Sequence, residues 1–494
     1  MSKNKKKFKN SGLSEGAGSL IKKTLKSWLP QHLSASSDID RPLNLVRSRS
    51  YSLFSNSPIG RAAIMTLVSG VINEGLRLFP KLNHTALNLS LEEARAWETK
   101  TKQEFELWAN SVECDFYRRN TFRELQRIAF LNELVDGDCV CLFRRKVSSS
   151  DNPYSLRLQL IEAQRICNPQ GEGGIFSNNV EMSRNNSRLV NGIEVDRNGI
   201  LKALWIATKI PNEFNTSQPS TTWRRVKFFG ERSGEQNLCF LCNDHRIEQF
   251  RGEPYLAPVI EILRNISRYS DAELVSAILK TYLSVFFVQL GSDTNYGLNQ
   301  IIEEDTSVDV TEYKLGAGTI SALPRGVDVK SINPAGAAST FESFTVQLLK
   351  QVGAALNLPY EVLLKNFQSS YSASKAALIQ AENEFRQRRQ SFIIDFCLPV
   401  YRLFLSEAVA LGRIDAPGFF DDALIKNLWC SADFHNESNH SLDPQKEVAA
   451  AEKKISLGLS TFSREAIAMN GSDFEENIRT LAAERALMQE LKNN

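Results

Sequence analysis

The chain runs to 494 residues, 42% of them hydrophobic, which allows roughly two to four domains with sizeable cores. Its formal charge is almost balanced at +2, so the chain as a whole is no polycation. The eight cysteines show no framework spacing, which excludes a disulfide-stapled scaffold and points to reduced thiols in a cytosolic compartment.

Residues 1–27 carry Lys3, Lys5, Lys6, Lys7, Lys9, Lys22, Lys23 and Lys26 among Ser, Gly and Asn, the composition of a disordered basic tail. Such a tail either solubilises the protein or touches nucleic acid or another polyanion. An apolar-rich helix is expected over 56–78, through Ile64, Leu67, Val68, Val71 and Ile72. Another is expected over 91–110, opened by Ser90 with Glu93 three residues on, the capping-box spacing. Thr121 opens a third, carrying Phe122, Leu125, Ile128 and Ala129, which ends near Asp136-Gly137-Asp138 where a strand over 139–143 begins. Strands also fit 156–161, 192–195, 201–208 and 238–241, with Asp196-Arg197-Asn198-Gly199 as a hairpin turn between the middle pair. Together these form a mixed α+β domain that closes near 249–258.

A long helix follows over 258–290, with Ile262, Ile266, Tyr269, Leu274, Ile278 and Leu283 as its buried side. Its most apolar run is about 15 residues and contains Lys280, short for a bilayer crossing, so no transmembrane segment is expected. Segment 291–338 is acidic at Glu303-Glu304-Asp305 and then reads as three short strands, 310–315, 319–323 and 327–332. It is a small β module between two long helices. The second of these carries Phe341, Phe344, Leu348, Val352 and Ala355 at helical spacing and ends at Asn357-Leu358-Pro359. A polar hinge over 366–375 separates it from another helix, with Leu378, Ala381, Phe385, Phe392 and Phe396 on one stripe. Pro399 should kink or interrupt that helix. Residues 412–439 read as irregular. From Asp443-Pro444 the chain is helical again, broken at Gly458-Leu459-Ser460-Thr461 and closing on a charged helix over 474–491.

Several short patterns could carry chemistry. Ser372-Ala373-Ser374-Lys375 fits the Ser-x-x-Lys nucleophile of penicillin-recognising hydrolases, but no Ser-Asp-Asn or Lys-Thr-Gly element accompanies it. A serine-rich helix start produces such a match by chance. Cys239-x-x-Cys242-x-x-His245 offers three ligands where a structural zinc site needs four, so no metal site is expected. Asp136 and Asp138 read as a helix-to-strand turn, and Glu303, Glu304 and Asp305 as a solvated acidic face. There is no Walker A loop, and no cofactor is implied. Arg386, Arg388 and Arg389 form either a solvated helix face with salt bridges or a subunit or polyanion contact.

Eight segments, met in order, carry a resemblance. They are 56–64 (Asn-Ser-Pro-Ile-Gly-Arg-Ala-Ala-Ile); Thr121-Phe122-x-x-Leu125-Gln126-Arg127 followed by Asp136-Gly137-Asp138; Leu160-Ile161-Glu162-Ala163-x-Arg165-Ile166; and Gly192-Ile193-Glu194-x-Asp196-x-x-Gly199. Then come Gln249-x-Arg251-Gly252-x-Pro254-x-Leu256-Ala257-Pro258, Leu358-Pro359-Tyr360-Glu361, Tyr371-Ser372-x-Ser374-Lys375-Ala376-Ala377 and Asp443-Pro444-x-Lys446-Glu447. By these the chain resembles the phage portal proteins of the lambda type from about residue 50 onward. Departures are mild: the family usually shows Asp-Gly-Glu at 136–138 and Tyr-Ser-Ser-Ala-Arg at 371–375, and the glycine-proline pattern expected before Asp443 is missing.

The resemblance implies an α+β portal fold and a homo-oligomeric ring, typically a dodecamer, at one capsid vertex. Double-stranded DNA would pass through its channel without sequence preference, driven by a separate terminase. Large terminase, head–tail connector, major capsid protein and scaffold are the implied partners, and membrane is not one. The protein would be a virion component assembled in the host cytoplasm. It would divide into the 1–27 tail, a wing over 28–255, stem helices over 256–290 and 339–358, and a clip over 291–338. A tunnel loop over 359–374, a kinked helix returning to the wing over 375–440 and a helical crown over 441–494 complete it. The resemblance assigns Lys365, Gln368, Ser369, Ser370, Tyr371 and Lys375 to the DNA channel, and Glu303, Glu304 and Asp305 to terminase and connector docking. Two other classes stay open: a Ser/Lys hydrolase, and a basic-tailed nucleic-acid or membrane-surface binder. A ring far heavier than one chain favours the portal, and a monomer that labels with a serine-reactive probe favours the hydrolase.

Overall fold

The computed structural model describes residues 17, 22–146, 152–169, 181–183, 187–211, 221–282, 286–289, 327–330, 341–367, 370–436, 444–472 and 474–493. Near the start, Ser57-Pro58 splits what looked like one helix. Ser57 is extended and its hydroxyl accepts from the Gly60 amide, so α1 (Leu43–Asn56) stops there and α2 (Pro58–Val71) begins with proline in its first turn. The expected helix over 56–78 is corrected at its far end too. Asn73 and Gly75, at φ of 54° and 117°, turn the chain, and Leu78 lies in strand β1 (Arg77–Pro80).

Helix α3 (Leu91–Ala109) starts on the Ser90/Glu93 capping box, and α4 (Phe122–Asp136) on an equivalent Thr121/Glu124 pair. Gly137, at φ 90°, ends α4 and releases β2 (Asp138–Arg145). Beyond it run β3 (Leu156–Ile161), β4 (Glu181–Ser183), β5 (Ser187–Val190), β6 (Ile193–Val195), β7 (Leu201–Ala207), β8 (Trp223–Lys227) and β9 (Leu238–Cys242). They make an antiparallel sheet of order β3-β2-β9 and another of order β4-β5-β6-β7-β8. The β6–β7 turn is as expected: Asp196 accepts from the amides of Asn198 and Ile200 at 2.8 Å each, and Gly199 supplies φ 87°. Side chains alternate across β2 and its neighbours. Cys139, Cys141, Leu158 and Cys239 face a helical core, while Val140, Leu142, Ile161 and Leu238 face the second sheet.

Helix α5 (Ile260–Tyr282) is shorter than expected, because 286–289 form strand β10 (Phe286–Gln289), paired antiparallel with β11 (Val327–Lys330). Its near half buries Leu263 and Ile266, but Leu274 and Ile278, expected inside, are 62% and 46% exposed. The far half stands away from the body of its own chain. Leu283, the strands over 310–315 and 319–323, and Glu303, Glu304 and Asp305 lie outside the described residues. Helix α6 (Phe341–Ala355) returns alongside α5, with the Tyr269 ring 5.1 and 5.3 Å from those of Phe341 and Phe344. It buries Leu349, Val352 and Gly353, whereas Phe344 is half exposed. Asn357 takes φ 52° and Leu358-Pro359 ends the helix as expected.

A short helix α7 (Tyr360–Leu364) precedes α8 (Tyr371–Phe392), which passes through a π turn (Ile393–Cys397) into α9 (Leu398–Ala410). The widened turn sits just ahead of Pro399, whose missing N–H and bulky ring disturb the preceding turn of a regular helix. Ala381, Phe385, Phe392 and Phe396 are buried on the expected stripe. Phe392 and Phe396 join Phe105, Trp108, Phe122, Tyr401 and Phe404 in the main core, where Phe105 lies 5.1 Å from Phe404 and 5.6 Å from Phe122. The stretch over 412–439 is more ordered than its sequence suggested. Helix α10 (Ala423–Trp429) places Trp429 5.0 Å from Trp97, and β12 (Ala432–His435) pairs with β1. Helices α11 (Pro444–Ser456), α12 (Phe462–Asn470) and α13 (Phe474–Asn493) follow, and Arg95–Glu475 and Lys102–Glu476 ion pairs tie α13 to α3. All eight cysteines are free. Among the described residues, no helix is long and apolar enough to cross a membrane.

Candidate functional site

The most heavily bonded polar cluster joins three distant parts of the chain. Asp138, at the first position of β2, is fully buried between Arg47 of α1 and Arg251 of the strap before α5. Arg47 Nη2 reaches Asp138 Oδ2 at 2.6 Å, and its Nε donates to the Asp136 carbonyl at 2.6 Å. Arg251 forks onto both Asp138 oxygens at 2.7 and 3.1 Å and donates to the carbonyls of Ala163, Ile166 and Asn191 at 2.9, 2.9 and 2.6 Å. Burial alone would raise the Asp138 pKa, but Arg251 and Arg47 outweigh it and hold the carboxyl below its usual range. Burial likewise lowers Arg47 to about 10 and raises Asp136 to about 6.

Two glycines let this joint close. The Gly252 amide donates to Asp138 Oδ2 at 3.1 Å, and a Cβ built on Gly252 would fall 1.8 Å from the Gly137 carbonyl oxygen. A Cβ on Gly137 would fall 2.4 Å from that of Gly252. The Asp-Gly-Asp and Arg-Gly motifs are thus two halves of one interlock. The turn reading of Asp136 and Asp138 holds, but nothing in the local pattern showed that Arg47 and Arg251 would meet them.

The candidate channel residues open α8. Lys365 takes the left-handed conformation after α7 at φ 54° and is exposed. Ser370 is the N-cap of α8, accepting from the Ala373 amide, and Tyr371 is 54% exposed. Tyr371 therefore stands on the first turn of a helix rather than in the loop expected to run to 374, and half-buried Lys375 lies on that helix as expected. Gln368 and Ser369 lie outside the described residues, as do Glu303, Glu304 and Asp305. Ser372 shares the exposed start of α8 with Lys375.

The arginine cluster of α8 is largely structural. Arg389 donates to the Gly70 and Val71 carbonyls at 2.7 and 3.0 Å, supplying the C-terminus of α2 with the donors it lacks. Arg388 pairs with Glu384 at 2.6 Å and lies 4.7 Å over the Tyr255 ring. Tyr255 in turn donates to the Leu356 carbonyl at the end of α6. Cys239 and Cys242 stand on β9, and no group of three or more potential metal ligands converges among the described residues.

A helix pair bracketing a small β ladder, a polar hinge opening a long helix and a buried ionic joint between segments together define a structural subunit. The family described as phage portal protein, lambda family, matches residues 22–389, and the chain belongs to that family. It is similar to portal protein B of Escherichia phage lambda, 22% identical over 490 residues, covering 93% of this chain and 87% of that protein. Among solved structures it is similar to a chain in the neck of a native gene transfer agent particle computed with twelvefold symmetry. That chain is 11% identical at a TM-score of 0.43, with 85% of this chain and 92% of that one covered. It is also similar to a portal protein of the HK97 family from Corynebacterium diphtheriae, 11% identical at a TM-score of 0.31, covering 67% and 84%.

Proposed function

We propose that this portal protein works as a ring of copies, a dodecamer, set at one capsid vertex, with double-stranded DNA packaged and ejected through its axis. The observation that carries this reading is the α5–β10–β11–α6 excursion. Its far half exposes Leu274, Val275, Ile278 and Phe344 at 46–62%, an apolar stripe that water disfavours and neighbouring copies would cover. On this reading α5 and α6 are the stem, 291–338 is the clip that meets the large terminase and later the head–tail connector, and 28–255 is the wing. Glu303, Glu304 and Asp305 would pair with basic partner residues or repel DNA at the channel mouth. The hinge before α8, with Lys365, Gln368, Ser369, Ser370, Tyr371 and Lys375, would face the DNA. Neutral hydroxyl and amide groups there could touch phosphates and release them. Assembly with the major capsid protein and scaffold would take place in the host cytoplasm, and the product would be a virion component without enzymatic turnover of its own. Native mass spectrometry with negative-stain imaging tests this. A closed ring near the mass of twelve 55.5 kDa chains is expected, and a protein that stays monomeric at every concentration would overturn the reading.

A further inference from the structure

The loop between α3 and α4 presents two aromatic rings and two arginines to solvent on a rigid mount. Asp115 is 1% exposed, and its carboxylate accepts from the amides of Tyr117, Arg119 and Asn120 at 3.0–3.1 Å. The Phe116 amide donates to the Leu158 carbonyl at 2.9 Å, pinning the loop to β3. Despite this fixing, Phe116 and Tyr117 remain 41% and 52% exposed. Exposed aromatics held this firmly lose little entropy when a partner covers them.

Among the described residues, most of the positive charge around the rings has no acidic partner. Arg144 of β2 stacks over Phe116 at 5.6 Å and donates to Gln159, which donates to the Tyr117 hydroxyl at 2.9 Å. Arg224 of β8 lies on the second sheet opposite Ile206, on the face turned to the first sheet. Arg144 shares its face of β2 with Leu142, which packs in the same inter-sheet core. The two guanidinium groups thus stand on opposed sheets at the rim of that core, where burial and Arg224 both disfavour the Arg144 charge. Arg118 pairs with Glu113, but no ion pair is found for Arg119, Arg144 or Arg224 among the described residues. Like charges gathered without an acid cost free energy in the free protein.

We propose that Phe116, Tyr117, Arg119, Arg144 and Arg224 form a docking face for a carboxylate-rich segment of a protein partner. Arginine forks match carboxylates bidentately, and tyrosine and arginine are the residues that anchor protein interfaces. A duplex is the poorer fit. Three free cations neutralise few phosphates, and the aromatic rings would have no role against a backbone.

The test uses the full-length protein and a short glutamate-rich peptide carrying a benzophenone, with adducts mapped by mass spectrometry. Adducts are expected on 116–119, and the Arg144→Ser/Arg224→Ser double variant should lower their yield about tenfold. Adducts on the lysine-rich 1–27 stretch serve as the internal control and should not change, nor should Arg232→Ser, an exposed arginine of the same region, reduce the signal. Arg224→Ser alone should raise Tm by about 1 °C as repulsion is relieved, which also shows that the variant is folded. Unchanged labelling of 116–119 in the double variant would overturn the proposal. Stronger labelling of those residues by a duplex bearing the same photoprobe would overturn it in favour of nucleic acid.

Discussion

Arg251→Met is the most informative single perturbation of the body. Methionine fills similar apolar volume but removes all five side-chain hydrogen bonds, two to Asp138 and one each to the Ala163, Ile166 and Asn191 carbonyls. Asp138 would keep Arg47 and the Gly252 amide, so its charge stays paired; the Ala163 carbonyl would keep the Ile166 amide, while the Ile166 and Asn191 carbonyls lose the Arg251 donor. Breaking a buried ion pair so that a charge is stranded costs about 3–5 kcal/mol, and because Asp138 keeps Arg47 the loss here should lie near the low end, about 3 kcal/mol. For a unit of this size that lowers Tm by roughly 10 °C. Arg251→Lys should lose less, since it keeps the charge but cannot fork onto both Asp138 oxygens and the carbonyls together. The assay is differential scanning fluorimetry, with hydrogen exchange read on β2, β9 and the strap at 249–255. Faster exchange should be confined to those segments. A loss below about 1 kcal/mol would refute the view that this network joins the segments. The pH response has a definite sign. The Asp138 pKa is depressed in the folded state, so its contribution is in place above the unfolded value near 3.8 and is lost as pH falls through the folded one.

Burial raises Glu133 to about 8 against the pull of Arg388, so folding disfavours its ionised form: the penalty is absent below the unfolded value of 4.5, grows up to about 8 and is constant above. Glu133→Gln should therefore match the parent at pH 4 and exceed it by up to about 5 kcal/mol at pH 9; a stability gap independent of pH would count against this. Gly252→Ala should yield little folded protein, because its methyl would meet backbone 1.8 Å away; a well-folded variant in soluble-expression and melting assays would contradict that packing. If the proposed ring forms with the hinge on the DNA path, Ser370→Lys should assemble normally but package DNA slowly at low salt, with the defect easing as salt rises, because each added cation would be repeated around that ring; normal packaging at low salt would count against the proposed placement of the hinge.

Much of the fold was legible where local chemistry decides it. The Ser90/Glu93 box, the Asp196–Gly199 turn and the stripe from Ala381 to Phe396 are written in neighbouring residues, and the structure keeps all three. Errors fall where distant partners decide. Strand β12 is four residues that exist because β1 pairs with them some 350 positions away, and no window around Ala432 could reveal it. The helix expected over 258–290 is present to Tyr282, and only its far end failed, for another reason: the apolar pattern continues past Tyr282, but 286–289 find a partner strand in 327–330. For the site, the hinge was visible as a polar break, yet N-capping by Ser370 started the helix at Tyr371 rather than at 375. The joint was half visible. Asp138 and Arg251 stood out as motif residues, but their contact spans 113 positions and Arg47 carried no signal at all.

The long helix α8 connects these two sites mechanically. At 1.5 Å per residue its 22 residues span about 33 Å. From Ala381 onward it is fastened, by Phe385 and Phe392 in the core, by Arg389 on the end of α2 and by Arg388 against Tyr255. Residues 371–380 include no fully buried side chain, and Ala377 and Leu378 pack only partly against the core, so about 9 Å of helix extends past the last apolar contact toward the hinge. A small displacement at Ser370 falls first on this lightly packed end, where Ala377 and Leu378 touch the core only in part. A larger one must load Arg388 and Arg389 first. Arg389 holds the end of α2, and Arg388 touches Tyr255, which holds the end of α6, so the load beyond α8 falls first on α2 and the α5–α6 pair rather than on the two sheets. The Arg47–Asp138–Arg251 joint lies behind that contact, on the strap that carries Tyr255, and resists the strap being drawn out with it.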